Sequence, residues 1–121
     1  MIPQIRPFNP DAEYFLDEGC YIIELSNQTS DPALSIARAR VLPGTTTQWH
    51  KLSDTVERYV IVEGEGCIEV GDLEAHSVKP GDTVIIPADC RQRISNTGAS
   101  DLIFLALCTP RFTPENYIPL K

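Results

Sequence analysis

The segment GTTTQWHKLSDTVERYVIVEGEG, residues 44–66, predicts two β-strands joined by a short loop and followed by a Gly-Glu-Gly turn. His50 stands near the end of the first predicted strand, and Glu57 stands at the start of the second. Side chains alternate between the two faces of a strand, so Gln48 shares a face with His50, and Tyr59 shares a face with Glu57. We therefore expect an imidazole and a carboxylate to meet inside one cavity.

The spacing within this segment is Gly44, five residues, His50, one residue, Leu52, four residues, Glu57, six residues and Gly64. A second group follows, with Gly81, five residues, Pro87, and then Asp89, Gln92 and Asn96. Together, over about residues 44–96, the two groups resemble the two sequence motifs of the cupins. The resemblance implies an all-β fold, the double-stranded β-helix or jelly-roll barrel. It implies one cupin domain over residues 1–121, with both terminal segments packed on the barrel.

The resemblance also implies a metal site, because three histidines and one glutamate hold a divalent metal in this family. Only His50 and Glu57 match these four positions. Leu52 stands in place of the second histidine and offers no donor, and Gln92 replaces the third with an amide oxygen, a harder donor than imidazole. The implied ligand set is His50, Glu57 and Gln92, holding Mn, Fe, Ni or Zn more weakly than the full set would.

A second alignment of the first motif adds Gln48 to the ligands. Some metal-dependent sugar isomerases of the same superfamily use Gln-x-His where others use His-x-His, and Gln48-Trp49-His50 fits that pattern. In either alignment the period of the strand predicts that Gln48 points into the barrel near its mouth. The choice between Gln48 and Gln92 as the third ligand stays open at this stage.

A site without metal is the alternative interpretation. His50 and Glu57 would then bond to each other and to a water molecule, with Gln92 completing the network. Two residues are candidates for catalysis: Glu57 as a ligand or general base, and Tyr59 as a donor of a hydrogen bond or a proton to a substrate. The other interpretation of Tyr59 is an aromatic ring packed in the barrel wall.

The composition excludes several classes of function. The chain has 121 residues and a net charge of −7, which disfavours binding to a nucleic-acid backbone. No apolar run approaches the roughly 20 residues of a membrane span, and the N-terminus lacks the apolar core of a signal peptide. We therefore expect a cytoplasmic protein without a membrane partner, whose four cysteines are reduced thiols.

The rest of the chain predicts further strands separated by Gly and Pro turns. The segments 20–26 and 102–108 are rich in apolar residues, and the second is predicted to be buried on both faces. The alternation in SIARAR, residues 35–40, favours a strand over a short helix. The proline-containing tail, residues 108–121, is expected to wrap around the barrel. Cupin barrels commonly dimerise through an outer sheet face, so the resemblance implies a homodimer.

Two classes of function follow from the sequence. The first is a metal-dependent enzyme, a dioxygenase, isomerase or lyase, acting on a small polar metabolite such as an organic acid or a sugar derivative. The second is a barrel without metal or turnover that binds a small molecule through His50, Gln48 and Gln92, or a purely structural dimer. No residue pattern selects one substrate.

Overall fold

The computed structural model describes residues 1–121 and consists of two antiparallel β-sheets packed face to face. The strands are β1 (Tyr14–Leu16), β2 (Cys20–Ser26), β3 (Ser35–Val41), β4 (His50–Leu52), β5 (Val56–Glu63), β6 (Gly66–Val70), β7 (His76–Val78), β8 (Thr83–Ile86), β9 (Gln92–Asn96), β10 (Leu102–Thr109) and β11 (Tyr117–Pro119). Six strands form one sheet in the order β1-β2-β3-β10-β5-β8, and five form the other in the order β11-β4-β9-β6-β7. This architecture confirms the predicted all-β jelly-roll barrel.

Besides the strands, the chain forms two 3₁₀ turns, Pro10–Ala12 and Pro114–Asn116. Neither turn has the length or the apolar character needed to cross a membrane.

The two strands of the opening segment do not pair with each other. β4 hydrogen-bonds to β9 and β11 in one sheet, whereas β5 hydrogen-bonds to β8 and β10 in the other. The loop between them, residues 53–55, therefore carries the chain from one sheet to the other, and residues 64–65 carry it back to β6. As a result, His50 and Glu57 approach the interior from opposite sheets.

Alternation along the strands places one face of each sheet in a common core. On β5 the side chains of Glu57, Tyr59 and Ile61 are buried, and on β9 those of Gln92 and Ile94 are buried. The apolar part of the core draws on both sheets: Cys20, Ala39, Val41, Tyr59, Ile61, Ile68, Val70, Val78, Ile86, Ile94, Leu102, Phe104 and Ala106. Three polar residues are buried together with this apolar core: His50, Glu57 and Gln92. Burying a polar group is unfavourable unless it is hydrogen-bonded, so the stability of this arrangement depends on their hydrogen-bond partners.

The remaining predictions about strands hold with one exception. SIARARV forms a strand, and the tail wraps the barrel, since β11 pairs with β4. The apolar segment 102–108 is buried on its inner face, but Leu105 and Leu107 on its outer face are only half-buried. Arginines of the two flanking strands lie opposite these leucines, Arg38 of β3 opposite Leu105 and Arg58 of β5 opposite Leu107.

Gly64 fixes the passage from β5 to β6. Its φ of +83° lies in the left-handed region, and a Cβ there would meet the carbonyl oxygen of Asp101 at 2.5 Å. Gly44 has a similar φ of +76°, but a Cβ there would meet nothing within 4 Å. An alanine at Gly64 would therefore meet both backbone strain and a steric clash, whereas an alanine at Gly44 would meet backbone strain alone.

We predict that Gly64→Ala lowers the free energy of unfolding by about 3–5 kcal/mol, because it adds overpacking to the strain of a positive φ. Gly44→Ala is the matched control and should cost about 1–2 kcal/mol, the strain alone. Urea unfolding of both variants measures the difference. Equal losses would show that the clash at Gly64 is relieved by movement of the Asp101 backbone.

Candidate functional site

A cavity of about 390 Å³ opens inside the barrel between the two sheets. Its walls are mainly apolar and aromatic, with polar side chains in a minority: Glu18, Glu24, Asn27, Ser35, His50 and Glu57. A mainly apolar concave pocket with a few convergent polar groups is the usual form of a small-molecule site. The cavity is therefore the candidate functional site.

His50 is held in the cavity wall by contacts on one side of its ring. Its Nδ1 lies 2.9 Å from the backbone oxygen of Gln48 and 3.3 Å from Oε2 of Glu18, and its ring stacks on Tyr117 at 5.0 Å. A carbonyl oxygen only accepts hydrogen bonds, so Nδ1 carries the hydrogen that it donates to Gln48. In the neutral ring Nε2 is then the acceptor, and it makes no hydrogen bond to the protein.

Glu57, Gln92 and Tyr59 form a buried chain of hydrogen bonds that crosses from one sheet to the other. The Tyr59 hydroxyl donates to Oε1 of Gln92 at 2.6 Å, and Nε2 of Gln92 donates to Oε1 of Glu57 at 2.9 Å. The tyrosine ring also packs against Phe104, with 4.3 Å between ring centroids. Tyr59 therefore fixes the orientation of the Gln92 amide, and through it one oxygen of Glu57.

Burial favours the neutral form of both ionisable groups in this chain, Glu57 and Tyr59. It raises the pKa of Glu57, while the Gln92 hydrogen bond and the nearby His50 act to lower it. Burial also raises the pKa of the Tyr59 hydroxyl, with the Glu57 carboxylate adding to the effect. Tyr59 thus keeps its proton at neutral pH and serves as a hydrogen-bond donor.

Glu18 completes the site and was not predicted from the sequence. It lies in the turn between β1 and β2, where the Cys20 thiol donates to its Oε1 at 3.0 Å. Its Oε2 is enclosed and accepts no hydrogen bond, although Nδ1 of His50 is 3.3 Å away, because that nitrogen donates to Gln48. Burial raises the pKa of Tyr117, and the negative charge of Glu18 and a side-chain hydrogen bond to this carboxylate add to the effect. No motif in the sequence marks Glu18, since the barrel alone brings it to His50.

Two cysteines in the cavity region act as donors to carboxylates. The Cys20 thiol donates to Glu18, and Sγ of Cys108 lies 3.6 Å from Oε2 of Glu57, its cross-strand neighbour. Burial, reinforced by these carboxylates, raises the pKa of both thiols. Neither thiol is therefore activated as a nucleophile, which requires a lowered pKa.

The inward orientation predicted for Gln48 is wrong. Strand β4 begins at His50, so the strand period does not extend back to residue 48, and the Gln48 side chain is exposed. Its backbone is fixed instead, because the backbone N–H of Gln48 donates to the backbone carbonyl oxygen of Glu18 at 2.7 Å. Thr47, just before β4, is buried, and its Oγ1 accepts a hydrogen bond from the backbone N–H of Ile94. The alternative alignment requires the Gln48 side chain as a metal ligand, but this side chain is not in the cavity.

The residues brought together do not fit the four-ligand centre that the resemblance implied. Both polar atoms of Gln92 are already bonded, to Tyr59 and Glu57, and Leu52 forms an apolar wall. No group of three or more His, Cys, Asp or Glu side chains is placed to hold a metal ion. Of the predicted ligands only His50 and Glu57 remain, and transition-metal sites in proteins normally use three or four protein ligands.

Comparison with known proteins supports the fold. The family model described as the cupin domain matches residues 37–108. The uncharacterized protein MJ1618 of Methanocaldococcus jannaschii is 34% identical over 105 residues, covering 85% of this chain and 83% of that protein.

Two solved structures are similar. An uncharacterized Klebsiella pneumoniae protein with a double-stranded β-helix domain has a TM-score of 0.78 at 14% identity, covering 98% of this chain and 99% of its own. Pac13, a nucleoside dehydratase of Streptomyces, also has a TM-score of 0.78, at 16% identity, covering 98% of this chain and 92% of its own. At these identities the likeness concerns the fold alone.

The raised pKa of Glu57 predicts a specific dependence of stability on pH. Below its ordinary value of 4.5 the carboxyl is protonated in both the folded and unfolded states, so it has no effect. Above 4.5 the folded state binds more protons, and the wild type loses stability as pH rises towards the raised pKa. Glu57→Gln removes this loss, so the stability of the variant minus that of the wild type should increase with pH in this window.

Urea unfolding of both proteins between pH 4 and pH 8 measures this difference. Glu65→Gln removes an exposed carboxylate and controls for the loss of one negative charge. A difference between Glu57→Gln and the wild type that does not change with pH would contradict a raised pKa at Glu57.

Proposed function

The chain belongs to the cupin family, and from this premise we propose that its barrel binds a small organic molecule without a resident metal and exchanges a proton with it at His50. The observation that carries the proposal is the state of the imidazole. Nδ1 is engaged by the Gln48 carbonyl, and Nε2, which has no protein partner, belongs to a residue of the cavity wall. A fixed tautomer with one free nitrogen suits a general base.

The donor set argues for proton chemistry rather than metal chemistry. Of the predicted dioxygenase, isomerase and lyase activities, an iron-dependent dioxygenase commonly uses two histidines and one carboxylate. Here the cavity supplies a single imidazole, and Leu52 lies where the family has its second histidine. An isomerisation by proton transfer takes a proton from one atom and returns it to another. In an elimination of water the base takes a proton from carbon, the electron pair forms the double bond, the C–O bond breaks, and the departing hydroxyl takes up a proton. His50 can accept and return the proton in both reactions.

Two groups around His50 would assist proton transfer. Glu18, whose Oε2 lies 3.3 Å from Nδ1, stabilises the imidazolium that forms when Nε2 takes a proton. The Tyr59–Gln92–Glu57 chain keeps Glu57 oriented, and the carboxyl with its raised pKa can carry a proton to donate. Pac13, the structurally similar dehydratase, performs an elimination of water, which is a reaction of this class.

Binding without turnover is the second candidate function. It is favoured by the same cavity, because thirteen of its twenty lining residues are hydrophobic and only a few polar groups face a ligand. The two candidates share the binding step and differ in whether the bound molecule changes. Proton exchange at His50, followed with a bound ligand, separates them.

We also propose that the protein is a cytoplasmic homodimer. Apolar side chains of the N-terminal segment are exposed in the single chain, with Ile2 78%, Ile5 92% and Phe8 56% accessible. A second copy would remove this apolar surface from water. Four free cysteines suit a reducing compartment.

The metal-free proposal predicts little retained metal. Protein purified without a tag or chelator and then exposed to Mn, Fe, Ni or Zn should retain far less than one equivalent per chain. The Leu52→His/Gln92→His double variant restores both histidines of the family pattern and should approach one equivalent, which makes it the positive control.

Small-molecule binding is tested by thermal shift with a library of alcohols, amines and sugars. His50→Gln should weaken binding of the compounds that stabilise the wild type, whereas His76→Gln, at an exposed position, should leave it unchanged.

The metal experiment also has an outcome that would contradict the proposal: about one equivalent of metal retained by the wild type and lost in His50→Ala.

A further inference from the structure

We propose that the cavity selects an organic cation, a protonated amine on a small and partly apolar skeleton, over neutral and anionic molecules. This inference rests on the proposed function, since it specifies what the cavity binds. It narrows the small polar metabolites expected from the sequence and removes organic acids from them. Three features of the cavity carry it.

The first feature is the balance of charged side chains around the cavity. Three glutamates line it, Glu18, Glu24 and Glu57, against a single histidine, and neither lysine nor arginine is present. Arg40 pairs with Glu13 and Asp101, and Arg93 pairs with Glu69. Arg111 donates to the lining residue Asn27 but does not itself line the cavity. An anion entering the cavity would therefore meet the carboxylates of Glu18 and Glu24, with no lysine or arginine in the lining to compensate them.

The second feature is the unpaired oxygen of Glu18. Oε2 is enclosed by the protein and accepts no hydrogen bond, while Oε1 accepts one from Cys20. A buried carboxylate oxygen without a donor is unfavourable. The Glu18 side chain is 11% exposed and lines the cavity, so a ligand ammonium placed there supplies the positive charge that this carboxylate lacks. Glu18 contacts His50 on the Nδ1 side of the ring, so an amine bound at Glu18 would lie next to this histidine.

The third feature is the aromatic wall. Tyr14, Tyr59, Phe104, Phe112 and Tyr117 all line the cavity. Aromatic faces attract cations through the ring quadrupole and also bury apolar skeletons. At the edge of the cavity the exposed Glu24, on a chain of net charge −7, favours the approach of cations. The same surroundings favour a ligand that is positive at one end and apolar at the other.

Two sets of probes that differ only in charge test the inference. Benzylamine, benzyl alcohol and benzoate share one skeleton, and butylamine, butanol and butyrate share a smaller one. At pH 7 both amines should bind more tightly than the matching alcohols, and the alcohols more tightly than the acids, by about tenfold or more between amine and acid. Isothermal titration calorimetry gives the dissociation constants.

Single variants assign the preference to named carboxylates. Glu18→Gln should reduce the ratio between amine and acid several-fold, and Glu24→Gln, at an exposed position that tolerates change, should reduce it by less. Glu74→Gln removes an equal charge from an exposed position outside the cavity and should leave the ratio unchanged. If Glu18→Gln fails to fold, Glu24→Gln still tests the contribution of the cavity carboxylates.

The outcomes distinguish this inference from the proposed function. Acids that bind as tightly as amines would overturn the charge preference and leave small-molecule binding in place. A preference for amines that survives both Glu18→Gln and Glu24→Gln would also overturn it. Absence of binding by all six probes would contradict small-molecule binding in this cavity and the charge preference with it.

Discussion

The hydrogen bond from Nδ1 of His50 to the backbone oxygen of Gln48 controls the interior of this barrel. It forms between residues two apart, at the point where the chain enters β4, and it fixes three properties of the site. Nε2 becomes the free nitrogen of the ring, and Oε2 of Glu18 is left without a donor although it lies 3.3 Å from Nδ1. The contact to the histidine is made by the backbone oxygen of Gln48, and its side chain is exposed.

A second constraint comes from burying an amide in the middle of the core. Gln92 is fully enclosed, and its two polar atoms find partners in Tyr59 and Glu57 of the opposite sheet. A histidine at this position would present one nitrogen to a metal, whereas the amide uses its donor and its acceptor to join the sheets. The position that carries a metal ligand in the family thus forms a cross-sheet hydrogen bond here, which gives the buried Glu57 carboxyl a donor.

The sequence predicts the fold and part of the site because both depend on the alternation of side chains between the two faces of each strand. Alternation places Glu57 and Tyr59 inward on β5 and Gln92 inward on β9, as the structure has them. The same rule fails at Gln48, where the strand has not yet begun. Alternation along a strand could not have predicted Glu18, because the packing of the two sheets, and not a local sequence pattern, brings the β1–β2 turn to His50. The charge of the cavity is likewise a property of the whole fold, because it depends on where every arginine points.

The tautomer of His50 tests the account most directly. The chain contains two histidines, so His76→Gln assigns the imidazole signals in long-range ¹H–¹⁵N NMR spectra without ambiguity. With the ring neutral, we predict that Nδ1 of His50 carries the hydrogen and that Nε2 is unprotonated. A dominant Nε2–H tautomer would contradict the account, because the nitrogen proposed to accept a proton would already hold one.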